Sequence, residues 1–255
     1  MAPAVLAAGA VVIVVLPLVG LLQRVSWSSL ISDLSAHDAY VALRLSLETS
    51  LGALAVALAF GLPLAWILAR RRFPGRSLLR GLVTLPMVLP PVVGGIALLY
   101  AFGRRGIAGQ LVYDLTGWRF VFNTSGAVLA EAFVSMPFLI VTAEAAFRSM
   151  DRRGEEAAAT LGAGPAYRFR RVTLPAVAPA LAAGAALAWA RALGEFGATI
   201  TFAGNLPGRT QTTPLLIYLD IESGHEATAL ALSLVLLAVS LAVLVGLRDR
   251  WLGHP

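Results

Sequence analysis

Six stretches of this chain are apolar over about the thickness of a lipid bilayer, and this pattern restricts the possible folds more than any other feature. They lie at residues 4–22, 45–69, 82–102, 125–147, 176–203 and 227–247. An α-helix rises about 1.5 Å per residue, so about 20 residues cross the hydrocarbon core. One soluble core cannot hide six runs of that length. The pattern predicts an all-α integral membrane protein with about six transmembrane helices.

The composition argues against several other classes of protein. Hydrophobic residues make up 58% of the chain and charged residues only 13%, against about 25% charged in soluble domains. All 20 basic residues are Arg, and they cluster at the ends of the apolar runs, which is not the pattern of a nucleic-acid-binding surface. The chain has no Cys, and its three His residues are widely separated, so we expect no thiol chemistry and no metal cluster. No cluster of catalytic residue types indicates an enzyme.

The Arg residues also predict the orientation of the chain, because basic residues accumulate on cytoplasmic flanks. With the N-terminus inside, 13 Arg residues lie on cytoplasmic flanks and 6 lie outside, while Arg191 falls within a span. The inside set is Arg70, Arg71, Arg72, Arg76, Arg80, Arg148, Arg152, Arg153, Arg168, Arg170, Arg171, Arg248 and Arg250, and the outside set is Arg24, Arg44, Arg104, Arg105, Arg119 and Arg209. We therefore expect both termini in the cytoplasm.

No segment between the spans is long enough to form a separate domain. We predict one transmembrane domain over residues 1–255, with a core at 45–247 and a cytoplasmic loop at 148–175. The first run has no preceding basic residue and is as long as a full span, so it is predicted as a span rather than a cleaved signal peptide. In the outer segment 204–226, residues 215–221 form a predicted short helix. Its acidic end, at Asp220, Glu222 and Glu226, either contacts an external partner or is simply solvated.

The cytoplasmic loop is a polar island with a fixed internal spacing. It contains Glu156-Ala157-Ala158, then Gly162, then Val172-Thr173-Leu174-Pro175. Alanine favours a short helix over 156–161, Gly162 can end it in a left-handed conformation, and a second turn of helix can begin after Pro165. The island resembles the EAA loop of importer-type ABC transporter permeases. This resemblance implies a type I importer architecture in which Glu156, Ala157, Ala158, Gly162, Leu174 and Pro175 dock a separate ATPase subunit.

Two further strings narrow the resemblance. The sequence LPMVLPPVVGG at 85–95, followed by GRRG at 103–106, is similar to the third-span region of molybdate/tungstate ABC permeases. The sequence LGEFGATITF at 193–202 is similar to the fifth-span signature of the same subfamily. The Gly-Glu-aromatic-Gly core is shared with sulfate and thiosulfate permeases, which stay open as an alternative.

The resemblance implies partners as well as a substrate. Since the chain has no Lys, it lacks the P-loop lysine, and ATP and Mg are expected on the separate ATPase subunit. Two ATPases need two docking loops, so we expect a homodimer, with an external oxyanion-binding protein delivering the substrate. No cofactor is expected on this chain. The expected location is the bacterial cytoplasmic membrane.

Polar and helix-weakening residues interrupt the third and fifth apolar runs. In the fifth run, Arg191, Gly194, Glu195 and Gly197 belong in the bundle interior or at water. Arg191 and Glu195, at i and i+4, form either a buried pair that fixes packing or part of a gate, where Thr199, Thr201 and nearby backbone N–H groups solvate an oxyanion. In the third run, Pro90, Pro91 and Gly94 predict a kinked helix, which serves either close packing or a gate.

One alternative of another class is a proton-coupled secondary transporter. Such a protein needs acidic side chains inside the membrane, and Glu131, Glu144 and Glu195 are the candidates. The spacing within the polar island favours an ATPase-driven importer instead.

Overall fold

The computed structural model describes residues 2–251, with side chains described within residues 3–246. Arg248 and Arg250, counted above as cytoplasmic, lie outside the described side chains. The described chain is helical. Its helices are α1 (Ala2–Arg24), α2 (Leu30–Ser35), α3 (His37–Arg70), α4 (Arg76–Met87), α5 (Pro91–Phe102), α6 (Ile107–Thr116), α7 (Thr124–Ser149), α8 (Arg153–Thr160), α9 (Pro165–Leu193), α10 (Gly197–Phe202), α11 (Thr213–Glu222) and α12 (Glu226–Trp251).

Five of these helices are long and apolar enough to cross a membrane, and the bent pair α4–α5 brings the number to six. The five are α1, α3, α7, α9 and α12. The predicted all-α membrane fold is confirmed. Several predicted spans were too short. A helix continues beyond its apolar run because the polar residues that follow also make helical backbone hydrogen bonds.

The third span is broken rather than kinked, and its predicted range of 82–102 was wrong. Helices α4 and α5 meet at 116°. Pro91 excludes Pro90 from the helical region, and Pro90 is extended, with φ −55° and ψ 131°. Pro91 then occupies the first position of α5, where its missing N–H costs nothing.

The predicted fifth span at 176–203 was also wrong in extent. Helix α9 begins at Pro165 and ends at Leu193, and α10 forms a separate helix after residues 194–196. A π-helical turn at Phe169–Thr173 precedes Pro175, as the π-helical turn at Ala57–Gly61 precedes Pro63. These wider turns accommodate proline rings that clash with the carbonyl four residues earlier, so both helices continue through proline.

Helix α7 occupies the centre of the bundle and packs against α3, α4, α5, α9 and α10. One core cluster surrounds its C-terminal half and includes Leu68, Phe147 and Val177. A second cluster surrounds its N-terminal half and includes Leu98, Val134 and Phe202. Helix α1 lies apart: its apolar window has no buried residue, and it contacts α12. The central position of α7 brings the two broken segments, α5 and α10, onto one helix.

Candidate coupling helix and translocation segment

The polar island between the fourth and fifth spans folds into α8 and a tight turn. Glu155 and Glu156 lie in the first turn of α8, where negative charge favours the positive end of the helix dipole. Gly162 has a φ of +82°, and the Ala163 N–H donates to the Ala158 carbonyl over 2.9 Å, which closes the helix end. The predicted short helix and its left-handed glycine are present, with bounds of Arg153–Thr160 instead of 156–161.

One side of this island is exposed, and we call Glu156, Ala157, Leu161 and Tyr167 the docking face. Leu161 is 88% exposed and Tyr167 is 60% exposed, and Glu156 of the same island is exposed as well. Ala158 is half-buried behind them. Large apolar side chains left exposed together on a polar segment are typical of an interaction surface.

The opposite side of α8 is fastened to the membrane helices by Glu155. Its Oε1 accepts a hydrogen bond from Arg70 Nη2 over 3.0 Å and another from the Thr173 hydroxyl. Arg70 ends α3 and Thr173 lies in the π-helical turn of α9, so one carboxylate joins three helices. Sequence reasoning missed Glu155, because the motif begins at Glu156 and the partner Arg70 is 85 residues distant.

Leu174 and Pro175, predicted at the end of the loop, lie inside α9. The predicted loop of 148–175 is therefore shorter than expected: α7 continues to Ser149, and α9 begins at Pro165. The reason is the π-helical turn, which lets the helix pass through Pro175 unbroken. The island is consequently continuous with a membrane-spanning helix.

The break after α9 is organised by Glu195, which is 1% exposed. Arg191 Nη1 lies 2.6 Å from Glu195 Oε2, and Glu195 Oε1 accepts a hydrogen bond from the Ala198 N–H over 2.8 Å. The buried carboxylate is thus neutralised from one side and caps α10 on the other. The predicted Arg191–Glu195 pair is present, and the Ala198 N–H near Gly197 is occupied by Glu195.

The two broken spans are in close contact. A Cβ atom on Gly95 of α5 would lie 2.7 Å from Thr201 Cβ and 2.9 Å from the Ala198 carbonyl oxygen, and one on Gly197 would lie 2.8 Å from Pro91 Cβ. Gly94 faces α7 instead, where a Cβ would lie 3.1 Å from the Phe133 ring. Segments that are a hundred residues apart in the chain therefore meet, and we call α5, residues 194–196 and α10 the translocation segment after the role proposed for it below.

The two threonines of this segment have different surroundings. The Thr201 hydroxyl donates to the Gly197 carbonyl over 2.7 Å, so it is engaged within α10. The Thr199 hydroxyl is fully buried and has no hydrogen-bond partner among the described residues. Of the two predicted solvating hydroxyls, Thr199 is the one with a free hydrogen-bonding group.

Two acidic residues of α7 have contrasting environments. Glu144 accepts hydrogen bonds from Arg80, including one from Nε over 3.1 Å, and lies 3.7 Å from both Arg76 and Arg148. Glu131 is 1% exposed and accepts one hydrogen bond, from Thr49 over 2.8 Å. Glu144 therefore fastens α4 to α7, while Glu131 lacks a cationic partner within the described part of the chain.

The outer segment contains the predicted short helix, α11, at Thr213–Glu222. Burial raises the pKa of the Asp220 carboxyl above its ordinary value. His225, 3.8 Å away, offsets only part of this rise. Asp220 is buried, whereas Glu222 and Glu226 are exposed. Of the acidic group predicted here, only these two glutamates are accessible to a partner.

Five helices long enough to cross a membrane and one broken span, with an exposed helical island between the fourth and fifth spans, define a multi-pass membrane protein. Residues 61–253 match the family of binding-protein-dependent transport system inner membrane components. The chain belongs to this family.

Curated relatives and solved structures agree with the family. The chain is 45% identical to a molybdenum transport system permease protein of Mycobacterium tuberculosis (strain ATCC 25618 / H37Rv), over 94% of this chain and 90% of the relative. It is 44% identical to its counterpart in Escherichia coli (strain K12), over 84% and 93%. A sulfate transport system permease protein of Salmonella typhimurium is 37% identical over 95% and 91%. A bacterial alginate ABC transporter shares the fold, with a TM-score of 0.73, 16% identity, and coverage of 96% and 94%.

Proposed function

We propose that this chain is the membrane subunit of an ATP-driven importer and forms the translocation path for molybdate, with tungstate as a related substrate. The proposed substrate rests on one observation: the chain is 45% identical to molybdenum permeases over 94% of its length, and 37% identical to a sulfate permease. The strings at 85–95 and 193–202, which resemble molybdate permeases, overlap the translocation segment.

Energy is supplied by a separate ATPase that binds ATP and Mg and docks on α8. The chain has no Lys and hence no P-loop of its own. The docking face supports this assignment, since it exposes Glu156, Leu161 and Tyr167 on a capped helix. Ala157 and Ala158 give that helix small side chains, and Gly162 lies at the turn that ends it. Leu174 and Pro175 lie within α9, which follows the turn.

The gate is formed by the translocation segment and the residues that flank it. On the side of α5 these residues are Pro90, Pro91 and Gly94. On the side of α9 and α10 they are Arg191, Gly194, Glu195, Gly197, Thr199 and Thr201. Two copies of the chain supply two docking faces and enclose one path between them, and an external oxyanion-binding protein delivers the substrate. The ATPases close on ATP, draw the two islands together, and switch the path between inward-open and outward-open. The complex lies in the bacterial cytoplasmic membrane with both termini of this chain in the cytoplasm.

The deciding experiment is uptake of labelled molybdate into proteoliposomes that contain this chain, its ATPase and its binding protein. We expect uptake that requires ATP and is little reduced by excess sulfate. A docking-face variant, Glu156→Arg, is expected to lose uptake together with ATPase association. If excess sulfate abolishes uptake, the chain is assigned to the sulfate and thiosulfate permeases. These permeases are the second candidate because they share the Gly-Glu-Phe-Gly sequence at 194–197.

A proton-coupled transporter is tested at Glu131, the acid without a cationic partner among the described residues. Glu131→Gln keeps an oxygen that accepts the Thr49 hydrogen bond but cannot carry a proton through a cycle. For an ATP-driven importer we expect the variant to retain uptake at every pH tested. Loss of uptake in a variant that folds and binds the ATPase normally would instead indicate proton work at this carboxyl.

A further inference from the structure

Helix α8 carries the proposed docking face, yet apolar packing contributes little to its attachment. None of its residues is buried. Its connection to α9 contains Gly162 and Gly164, and a Cβ on either would meet no atom within 4 Å. A short helix with such a connection needs side-chain contacts to hold its position, since isolated helices of this length are unstable in water.

We propose that Glu155, and not the neighbouring Glu156, is the positioning residue that holds α8 on the membrane helices and transmits its movement to them. This inference rests on the proposed docking of an ATPase on α8. Glu155, Arg70 and Thr173 form what we call the α8 clamp. The Glu156 side chain is exposed, so the two adjacent glutamates have separate tasks, one toward the ATPase and one toward the membrane core.

The α8 clamp is largely buried, in the wall of a cleft that Trp66 and Phe169 also line. The side chains of Arg70 and Glu155 are 10% and 20% exposed, and the pair spans 3.0 Å. Exposed ion pairs contribute little to stability, whereas removal of one partner from a sheltered pair leaves an uncompensated charge. The α8 backbone lies close to α9 beside the clamp, because a Cβ on Gly154 would lie 3.2 Å from the Val172 side chain. The clamp therefore fixes both the place and the orientation of α8.

The clamp joins α8 to the helices that lead to the translocation segment. Arg70 ends α3, and a short connection leads from it to α4, where Arg76 and Arg80 meet Glu144 of α7. Helix α4 leads into α5, which packs on α10. Thr173 lies on α9, whose other end carries Arg191 and is followed by Glu195. A displacement of α8 consequently acts on both sides of the translocation segment.

The first test uses the isolated permease and does not depend on transport. Hydrogen exchange is measured on the backbone amides of residues 153–160 in the wild type, in Glu155→Ala and in Glu156→Ala. We expect exchange in Glu155→Ala to rise by about tenfold in α8 and to stay unchanged in α7, because the clamp protects α8 from local opening. Glu156→Ala should leave this protection in place. Equal exchange in the wild type and Glu155→Ala would overturn the clamp.

The second test uses the full complex in proteoliposomes and measures ATP hydrolysis and molybdate uptake together. Glu155→Ala is expected to retain the ATPase and to hydrolyse ATP while uptake per ATP falls by about tenfold. The exchanged pair Arg70→Glu with Glu155→Arg should recover part of the loss, and Arg71→Gln, at an exposed neighbouring position, serves as the control. Normal uptake per ATP in Glu155→Ala would contradict force transmission by Glu155. Absence of ATP-driven uptake in the wild type would instead reject the proposed function, and hydrogen exchange still decides the clamp.

Discussion

At the scale of single residues, the acidic groups inside the membrane divide by how their charge is compensated. Glu195 is paired with Arg191 and Glu144 with three arginines, while Glu131 has the hydroxyl of Thr49. The Arg191–Glu195 pair was predictable because both partners fall within one apolar run at i and i+4. Arg148 lies at i+4 from Glu144 on the same helix, whereas Arg76, Arg80 and the partners of Glu155 come from other helices, so sequence spacing gave no signal for these.

Removal of Arg191 alone is expected to be worse than removal of the whole pair. Arg191→Ala leaves Glu195 charged and buried, which costs about 3–5 kcal/mol. Arg191→Ala with Glu195→Gln should cost less, because Gln can still accept the Ala198 N–H. Thermal unfolding in detergent measures both, in a double-mutant cycle. Additive losses would reject the neutralising role.

The matched control for this cycle is Arg44 and Glu48, which have the same i and i+4 spacing and a 2.6 Å contact. Their side chains are 67% and 50% exposed. We expect little coupling between them, because water already solvates both charges. Equal coupling in the two pairs would show that burial is not the cause of the effect at Arg191.

At the scale of helices, the apolar runs predicted the number and order of the spans but not where the helices end. Apolar composition indicates which residues contact lipid. The end of a helix depends instead on capping residues and prolines, which can lie outside the apolar run. Helix α9 thus extends back through Arg168, Arg170 and Arg171 to Pro165, and α3 begins at His37. The composition of residues 85–95 predicted a kink, but the angle of 116° depends on packing against α7 and α10.

Gly162 is expected to be sensitive to any side chain, although there is open space around it. Its φ of +82° is unfavourable for other residues, and Gly162→Ala costs about 1–2 kcal/mol in a left-handed conformation. We expect α8 to change its connection to α9 and the ATPase to dissociate, as measured by co-purification. Gly164→Ala is the control, because Gly164 has a φ of −65° and equally open space. Equal retention of the ATPase by both variants would contradict a role for the glycine conformation.

Gly95 is expected to be sensitive for a different reason, which is contact between helices. Gly95→Ala places a Cβ 2.9 Å from the Ala198 carbonyl oxygen, a backbone atom that cannot rotate away. Helices α5 and α10 must separate, at a cost of about 1–3 kcal/mol. We expect ATP-driven uptake to fall while the ATPase stays bound. Gly81→Ala on α4, where the new Cβ meets no atom within 4 Å, should leave uptake unchanged. Normal uptake in Gly95→Ala would argue against a gate at this contact.

At the scale of the whole molecule, the bundle has two ends of different character. At one end, Arg70, Arg76, Arg80 and Arg148 meet Glu144 and Glu155 beside α8. At the other end, Arg119 and Arg209 line an outer cleft with Asn123 and Leu206. These four arginines all belong to the set that the sequence places on the cytoplasmic flanks. The structure brings them to the same two glutamates, a contact that the sequence alone did not predict. The larger basic excess lies at the end that carries the docking face, so the positive-inside rule predicts a cytoplasmic position for that face.

The orientation can be tested directly because the chain has no Cys. Single Cys residues at positions 71 and 152 should react with a membrane-impermeant thiol reagent only from the cytoplasmic side, and those at 105 and 209 only from outside. All four positions are exposed arginines. Position 76 is a poorer choice, because Arg76 lies 3.7 Å from Glu144 and its loss would disturb the contact between α4 and α7. Labelling of position 152 from outside would place α8 beyond the reach of any cytoplasmic ATPase, and the coupling mechanism would fail with the orientation.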